Sequence, residues 1–568
     1  MLEKTRSVET PLEPKRSSHW LSRLHDPEIL IAIELLCAVA LLGILRISDY
    51  GITIDEWNAD DYGRKALAWY ASGFTDRAIF TDVEDTLWYY GPWFHMLTSG
   101  VQSLGLGEHW DVRHALTFLC GLSGVAFLLP MGRLVAGRWA GLTAIVLCLT
   151  TGYLYGSLFF TPIDVPFLFA MTAATWGIMR MAERAVPSWP ASITAGLLTG
   201  LAIATRSSGF ITQAYLVGAM GLCALEIVLT RRSWRPDLTQ LGLRTLGAFV
   251  SGWALAFCLW PWLQVGNPFV QFIEAFRYFA NHPSSWEMPY WGMTVTTNRL
   301  PWHYVPGELA ARLPLVFLVL IVATAALVIY GAFSRVAWSA PRENRSAAKI
   351  IFALAARGSR QMLILSAAAF LPIGFVIVEG STLYNGLRHI LFVIPMLALF
   401  AAVGFAWMLP TFRRVPILFT AAIGTYLGVQ VSVLAALHPL EYVAFNSVAG
   451  GVQGAYGRFD MDYWASAATI ALRRLEDRVS LQAPQDGPPP KLLICIPWRE
   501  WMAGTLYRRP WTLELKAEEA DYIIATEPQP DCAAGQNMVL IDEVTRFGRA
   551  FAWTYARRPA PDSADRRP

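Results

Sequence analysis

Charge is what this sequence has least of. Aspartate, glutamate, lysine and arginine make up 16% of its 568 residues, against about 25% in an ordinary soluble domain. With 54% hydrophobic residues and a mean hydropathy of +0.38, the shortfall is that of a polytopic membrane protein. The basic residues are scattered and the net charge is only +3, so no stripe for nucleic acid exists. Seven cysteines include no Cys-x-x-Cys spacing, which argues against a cysteine metal site. Walker, His-Glu-x-x-His and Gly-x-Ser-x-Gly motifs are also absent.

What is present is a series of apolar runs near 20 residues long. We read eleven spans, at about 29–47, 112–131, 139–160, 163–182, 190–206, 209–230, 242–263, 312–332, 361–379, 389–409 and 416–435. Residues 1–28 are polar and basic, and the first apolar run carries no small-residue cleavage site, so it reads as a retained anchor. Glu34 and Glu226 fall within spans and are expected to pair locally. With the N-terminus inside, the inner connections hold Arg133, Arg138, Arg180, Arg184, Arg231, Arg232, Arg235 and a basic run from Arg335 to Arg360. The outer connections hold far fewer. The positive-inside rule therefore predicts an N-terminus inside, a C-terminus outside and a place in the inner (cytoplasmic) membrane.

Three regions divide the chain: a cytoplasmic segment 1–28, a membrane domain 29–435 and an extracytoplasmic unit 436–568. Two long outer loops, about 48–111 and 264–312, interrupt the second. The later loop holds an expected interfacial helix at Phe269–Phe279 and aromatics (Trp286, Tyr290, Trp291, Trp302, Tyr304) suited to headgroup depth. The tail predicts a small α/β domain, with a helix at Tyr463–Arg478 and buried strands at Lys491–Pro497, Tyr522–Thr526 and Met538–Asp542. An outer compartment permits a disulfide between Cys495 and Cys532, though Cys495 also suits a buried strand.

Acids at the edge of a bilayer are costly, and Asp55-Glu56 stand just past the first span. A carboxylate there can take a proton from an attacking hydroxyl, and partial burial would raise its pKa toward a useful range. The bland alternative is a solvated loop start or helix cap, which is how Asp60 and Asp61 read. Asp164, at the start of the fourth span, is either a helix N-cap or a second acid facing Asp55. Arg206, at the tip of a tight hairpin, and Arg388-His389, leading into the tenth span, suit phosphate better than lysine would; the alternative is snorkelling to lipid phosphates. Tyr384, Asn385 and Trp302 are candidates for lining a substrate. The glycine- and aromatic-rich stretch His438–Trp464 either covers the site or simply links the tail.

Together, Asp55-Glu56 after the first span, Asp164 at the fourth, Gly196–Gly209 (GLLTGLAIATRSSG) and Tyr384–Pro395 (YNGLRHILFVIP) resemble the GT-C membrane glycosyltransferases. The nearest branch is similar to the protein O-mannosyltransferases and lipid A aminoarabinose transferases, family 39. The resemblance covers most of residues 29–465. It implies a sugar donor on a polyprenyl phosphate, an acceptor hydroxyl on a protein, lipid or polysaccharide, and inversion at the anomeric carbon. It also implies Asp55 as general base, Asp164 as an orienting acid, and Arg206 and Arg388 on the leaving phosphate. This branch usually offers a lysine at the place of Arg206. Some relatives use a divalent cation, but the acids here show no ligand spacing. A transporter or flippase for a lipid-linked sugar is the alternative; it would keep its polar groups near the bilayer midplane.

Overall fold

In a computed structural model, the protein is described over residues 26–82, 84–231, 233–280, 282, 285–338, 357–412, 414–482, 489–495, 511–514, 516–527 and 537–558. It is mostly helical, with a small sheet at the C-terminal end. Among the described residues, seven helices are long and apolar enough to cross a membrane: Pro27–Leu45, His109–Val135, Ser207–Thr230, Trp234–Leu259, Gly358–Glu379, Val393–Thr411 and Pro416–Leu437. They make this a multi-pass membrane protein.

The other expected spans are helical too, each with a reason for falling short. Asp164–Met181 begins and nearly ends on a charge. Trp189–Ile203 and Leu315–Gly331 are shorter apolar helices. The stretch expected as one span at 139–160 is two helices, Arg138–Leu149 and Gly152–Phe160, meeting at 74°. At the break, Thr151 Oγ1 donates to the Leu147 carbonyl at 2.7 Å, and Thr150 Oγ1 lies 2.7 Å from the Tyr426 hydroxyl. Hydroxyls thus occupy the turn that a continuous helix would otherwise fill.

Glycine sets how closely the bundle packs. A Cβ at Gly200 would lie 2.2 Å from the Gly252 carbonyl oxygen, and one at Gly196 would lie 2.2 Å from that of Ala248. Only small residues four apart allow the Trp189–Ile203 and Trp234–Leu259 backbones to meet this way. That contact fixes the helix that leads into Arg206.

The first long loop, expected as a polar connection, is largely helical. Ile54–Ala71 is an 18-residue helix that opens on a capping box between Thr53 and Glu56, and Trp93–Gln102 follows. In the second loop, helix Pro268–Ala280 stands where an interfacial helix was expected. It precedes a hairpin of β1 (Glu287–Tyr290) and β2 (Met293–Thr296).

The C-terminal sheet has β3 (Lys491–Cys495), β4 (Thr512–Leu513), β5 (Tyr522–Ala525), β6 (Met538–Arg546) and β7 (Arg549–Arg557), in the order β4-β3-β5-β7-β6. The first three run parallel, and β6–β7 is an antiparallel hairpin. Its turn, Phe547-Gly548, is left-handed at both residues, the twist a two-residue hairpin needs. Helix Ser466–Gln482 packs on this sheet, beginning three residues later than expected. Strand β7 had no counterpart in the sequence reading. Cys495 is disulfide-bonded, while Cys532 lies outside the described residues.

Neither membrane glutamate pairs locally. Glu226 takes Arg360, 134 residues away, and Glu34 lies exposed on the first helix with no ion pair among the described residues.

Candidate active site

Four segments far apart in sequence deliver two acids and two arginines to one place. Asp55 sits in the first turn of Ile54–Ala71, where the helix dipole favours a carboxylate. Asp164 is the first residue of Asp164–Met181, but its side chain makes no cap bond to its own helix. Instead, Arg388 donates through Nη2 to Asp55 Oδ2 and through Nε to Asp164 Oδ2 at 3.3 Å. Arg206 Nη1 donates to Asp164 Oδ1 at 3.1 Å. The result is a chain of alternating charge: Asp55, Arg388, Asp164, Arg206.

Exposure separates the two acids. The Asp55 side chain is 25% exposed and that of Asp164 is 3%, so Asp55 is the carboxylate a substrate can meet. Both guanidinium groups keep N–H donors beyond those used here. Aromatic rings wall them in. Tyr90 and Phe279 lie 5.5 and 5.8 Å from the Arg206 guanidinium carbon. Trp464 and Tyr384 lie 4.4 and 5.5 Å from that of Arg388. Burial pushes the Tyr384 hydroxyl above its ordinary pKa, against the opposing pull of Arg388, so it stays a donor at neutral pH. Around the cluster, His389 Nδ1 and Trp464 Nε1 are buried with no hydrogen-bond partner among the described residues.

The other sequence candidates fall differently. Asn385 serves the backbone: it has a left-handed φ of 57°, followed by Gly386 at 66°, and its carbonyl accepts from Tyr153 Oη at 3.3 Å. This turn presents Arg388. His389 sets its ring edge-on to Tyr384, with centroids 4.4 Å apart. Trp302 is 71% exposed and packs edge-on to His303, not on any of the four charges. Glu56 turns away from Asp55. Its Oε2 accepts from the Thr53 amide at 2.8 Å, and its Oε1 lies 3.0 Å from His114 Nε2, at an angle outside hydrogen bonding. Asp60, expected to be solvated, is 5% exposed and binds Arg113 at 2.9 Å.

No family model matches the sequence, and no curated protein does. Solved structures do. The chain is similar to ArnT from Cupriavidus metallidurans in the apo state, at 16% identity and a TM-score of 0.45, over 93% of this chain and 99% of that one. It is similar to the oligosaccharyltransferase AglB from Archaeoglobus fulgidus, solved with an inhibitory peptide and a dolichol-phosphate, at 12% identity, TM-score 0.41, and 87% and 69% coverage. It is also similar to the arabinofuranosyltransferase AftD from Mycobacteria, at 12% identity, TM-score 0.36, and 93% and 40% coverage.

A divalent cation does not fit this donor set. Both carboxylates are engaged by guanidinium groups, and among the described residues no group of three or more His, Cys, Asp or Glu side chains could hold a metal.

The sequence nominated all four charges. It did not single out their walls, Tyr90, Phe279 and Trp464. The signal available was aromatic density, in Trp88-Tyr89-Tyr90 and Tyr463-Trp464, which by itself does not say which ring meets which cation.

Proposed function

We propose that this protein is an integral membrane glycosyltransferase. It moves a sugar from a polyprenyl phosphate to an acceptor hydroxyl at the outer membrane face, with inversion. The observation that carries this reading is the accessible carboxylate of Asp55 paired with Arg388, which shares a second, buried acid with Arg206.

The chemistry follows from that arrangement. Asp55 takes the proton of the acceptor hydroxyl. The hydroxyl oxygen bonds to the anomeric carbon, and the bond from that carbon to the phosphate oxygen breaks on the opposite face. The electron pair leaves with the phosphate, so a singly charged diester becomes a more highly charged monoester. Arg388 and Arg206 therefore hold the departing group more tightly than the ground state, which is the condition for catalysis. Asp164 keeps the two guanidinium groups together while the site is empty. The outer face follows from the distribution of basic residues between loops. The acceptor is a hydroxyl of a protein, lipid or polysaccharide.

A transporter would be favoured by a broken helix at the midplane. The 74° break interrupts an apolar run, but the residues that meet there, Thr150 and Thr151, are neutral, and their hydroxyls bond within the protein.

The test has two halves. Mass spectrometry of cell-envelope glycans and lipids, with and without the protein, should show one sugar unit missing. Asp55→Asn should lower turnover by about 10²–10⁴-fold while donor binding persists. An Asp55→Asn protein that still adds the sugar at the wild-type rate ends this reading.

A further inference from the structure

One short stretch after the last apolar helix, residues 460–473, touches Arg388 of the charged cluster and the chain that leads to Asp55. On the arginine side, the Trp464 ring lies under the Arg388 guanidinium at 4.4 Å and is 2% exposed. Next to it, Tyr463 Oη sits 3.1 Å from Tyr153 Oη, which in turn accepts from the Leu387 amide at 2.9 Å. Arg312 ties the same stretch to the same turn. Its Nη2 donates to the Asp460 carbonyl at 2.8 Å, and a Cβ at Gly386 would stand 2.9 Å from that nitrogen. On the acid side, a Cβ at Gly51 would fall 2.0 Å from Thr469 Oγ1, and Arg473 Nη1 donates to the Asp49 carbonyl at 3.0 Å. The chain just before Asp55 and the turn just before Arg388 are thus both seated on this stretch.

A guanidinium that shares its edge with two carboxylates still has two open faces, and it can tilt out of their common plane. An aromatic ring against one face opposes that tilt through the cation–π attraction, which strengthens as water is excluded. We propose that Trp464 is a positioning residue of the active site. It fixes the plane of Arg388, so that the remaining N–H donors are held ready for the phosphate, and residues 460–473 belong to the catalytic unit rather than to a linker. This rests on the phosphate role proposed above for Arg388.

The test uses full-length protein in detergent, with farnesyl phosphate as probe and farnesol as its uncharged control. Trp464→Leu and Trp464→Phe both replace the indole with a smaller apolar side chain, but only Trp464→Phe keeps a π-face. Wild type should prefer the phosphate, and Arg388→Gln should lose that preference. Trp464→Leu should weaken phosphate binding about 30-fold, the equivalent of ~2 kcal/mol, with farnesol unchanged. Trp464→Phe should stay within about threefold of wild type, and adding Trp464→Leu to Arg388→Gln should cost nothing further. If Trp464→Leu prevents folding, Trp464→Met against Trp464→Phe gives the same contrast. A wild type indifferent to the phosphate overturns the donor-phosphate reading together with this one. Wild type and Arg388→Gln behaving as expected, with Trp464→Leu either silent or fully additive to Arg388→Gln, overturns the role of Trp464 alone.

Discussion

Two neighbouring acids on one helix lead into two different charge networks. Asp55 joins Arg388, 333 residues away, and through it Asp164 and Arg206. Glu56 and Asp60, four apart and hence on one face of the Ile54–Ala71 helix, join His114 and Arg113. All of that second set lies in the first loop and the start of the next span. Asp60 also takes His109 at 3.2 Å and Arg64 at 3.4 Å, while Arg113 reaches Gln102 at 3.2 Å. The near network can form once its own loop folds, and its central side chains are sealed from water. The far network requires the whole chain and leaves one acid accessible. Buried ion pairs are weak evidence of net stability, so burial alone does not tell the two apart. Reach along the sequence and access to one carboxylate do.

Exchanging the two acids' fates should give the largest effects. Asp55→Asn should remove the general base, about 10²–10⁴-fold in turnover, with little change in stability, because its position is part-exposed. Asp60→Asn should do the reverse. It takes from buried Arg113 its hydrogen-bonded carboxylate and leaves only the more distant Glu56, and two of the arginine's nitrogens, Nε and Nη1, already have no hydrogen-bond partner among the described residues. The cost should be about 3–5 kcal/mol of stability, read by thermal unfolding in detergent, with turnover per folded molecule preserved. Asp60→Asn protein that is stable but inactive would erase the distinction.

Glu56 sharpens the comparison at smaller cost. Removing a capping residue takes about 1–2 kcal/mol from a helix, and Glu56→Ala also strips His114 of its neighbouring carboxylate. Stability should fall by roughly that amount. Turnover should follow only as far as Asp55 shifts with the loosened first turn. A loss of turnover as large as that of Asp55→Asn would place Glu56 in the chemistry after all.

How much of this could be read from residues alone divides along the same line. Apolar runs announced the spans because hydropathy reports composition. It cannot report angle, so the 74° break stayed hidden inside one run. Thr53-x-x-Glu56 is a capping-box pattern and already marked the helix start and the job of Glu56; the length of the polar loop hid it. Asp55, Asp164, Arg206 and Arg388 were each nominated because charge near a membrane needs a reason. Their pairing was not legible, since contacts across 333 residues leave no local pattern. Trp302 was chosen for its type alone and is solvent-exposed. Trp464 stood in the right stretch, but only the fold shows the cation on its face.

The smallest expected effect lies where the C-terminal unit meets the chain leading to Asp55. His438 Nδ1 lies 2.8 Å from Glu441 Oε1 and its Nε2 lies 2.9 Å from Asp49 Oδ2. Tyr50 Oη also donates to Glu441, at 3.0 Å, and Arg546 grips the His438 carbonyl at 2.7 Å. Burial alone would lower the histidine's pKa, but its hydrogen bonds to Glu441 and Asp49 outweigh that and raise it. Because the folded value lies above the ordinary 6.5, the contribution is full below that pH and is lost as pH climbs through the raised value. Protection from hydrogen exchange at residues 438–450, relative to the intrinsic base-catalysed rate, should therefore fall on the alkaline side in wild type and be flat with pH in His438→Gln. A wild-type step that survives in His438→Gln would mean that the junction is held by Arg546 and Arg473 without the histidine.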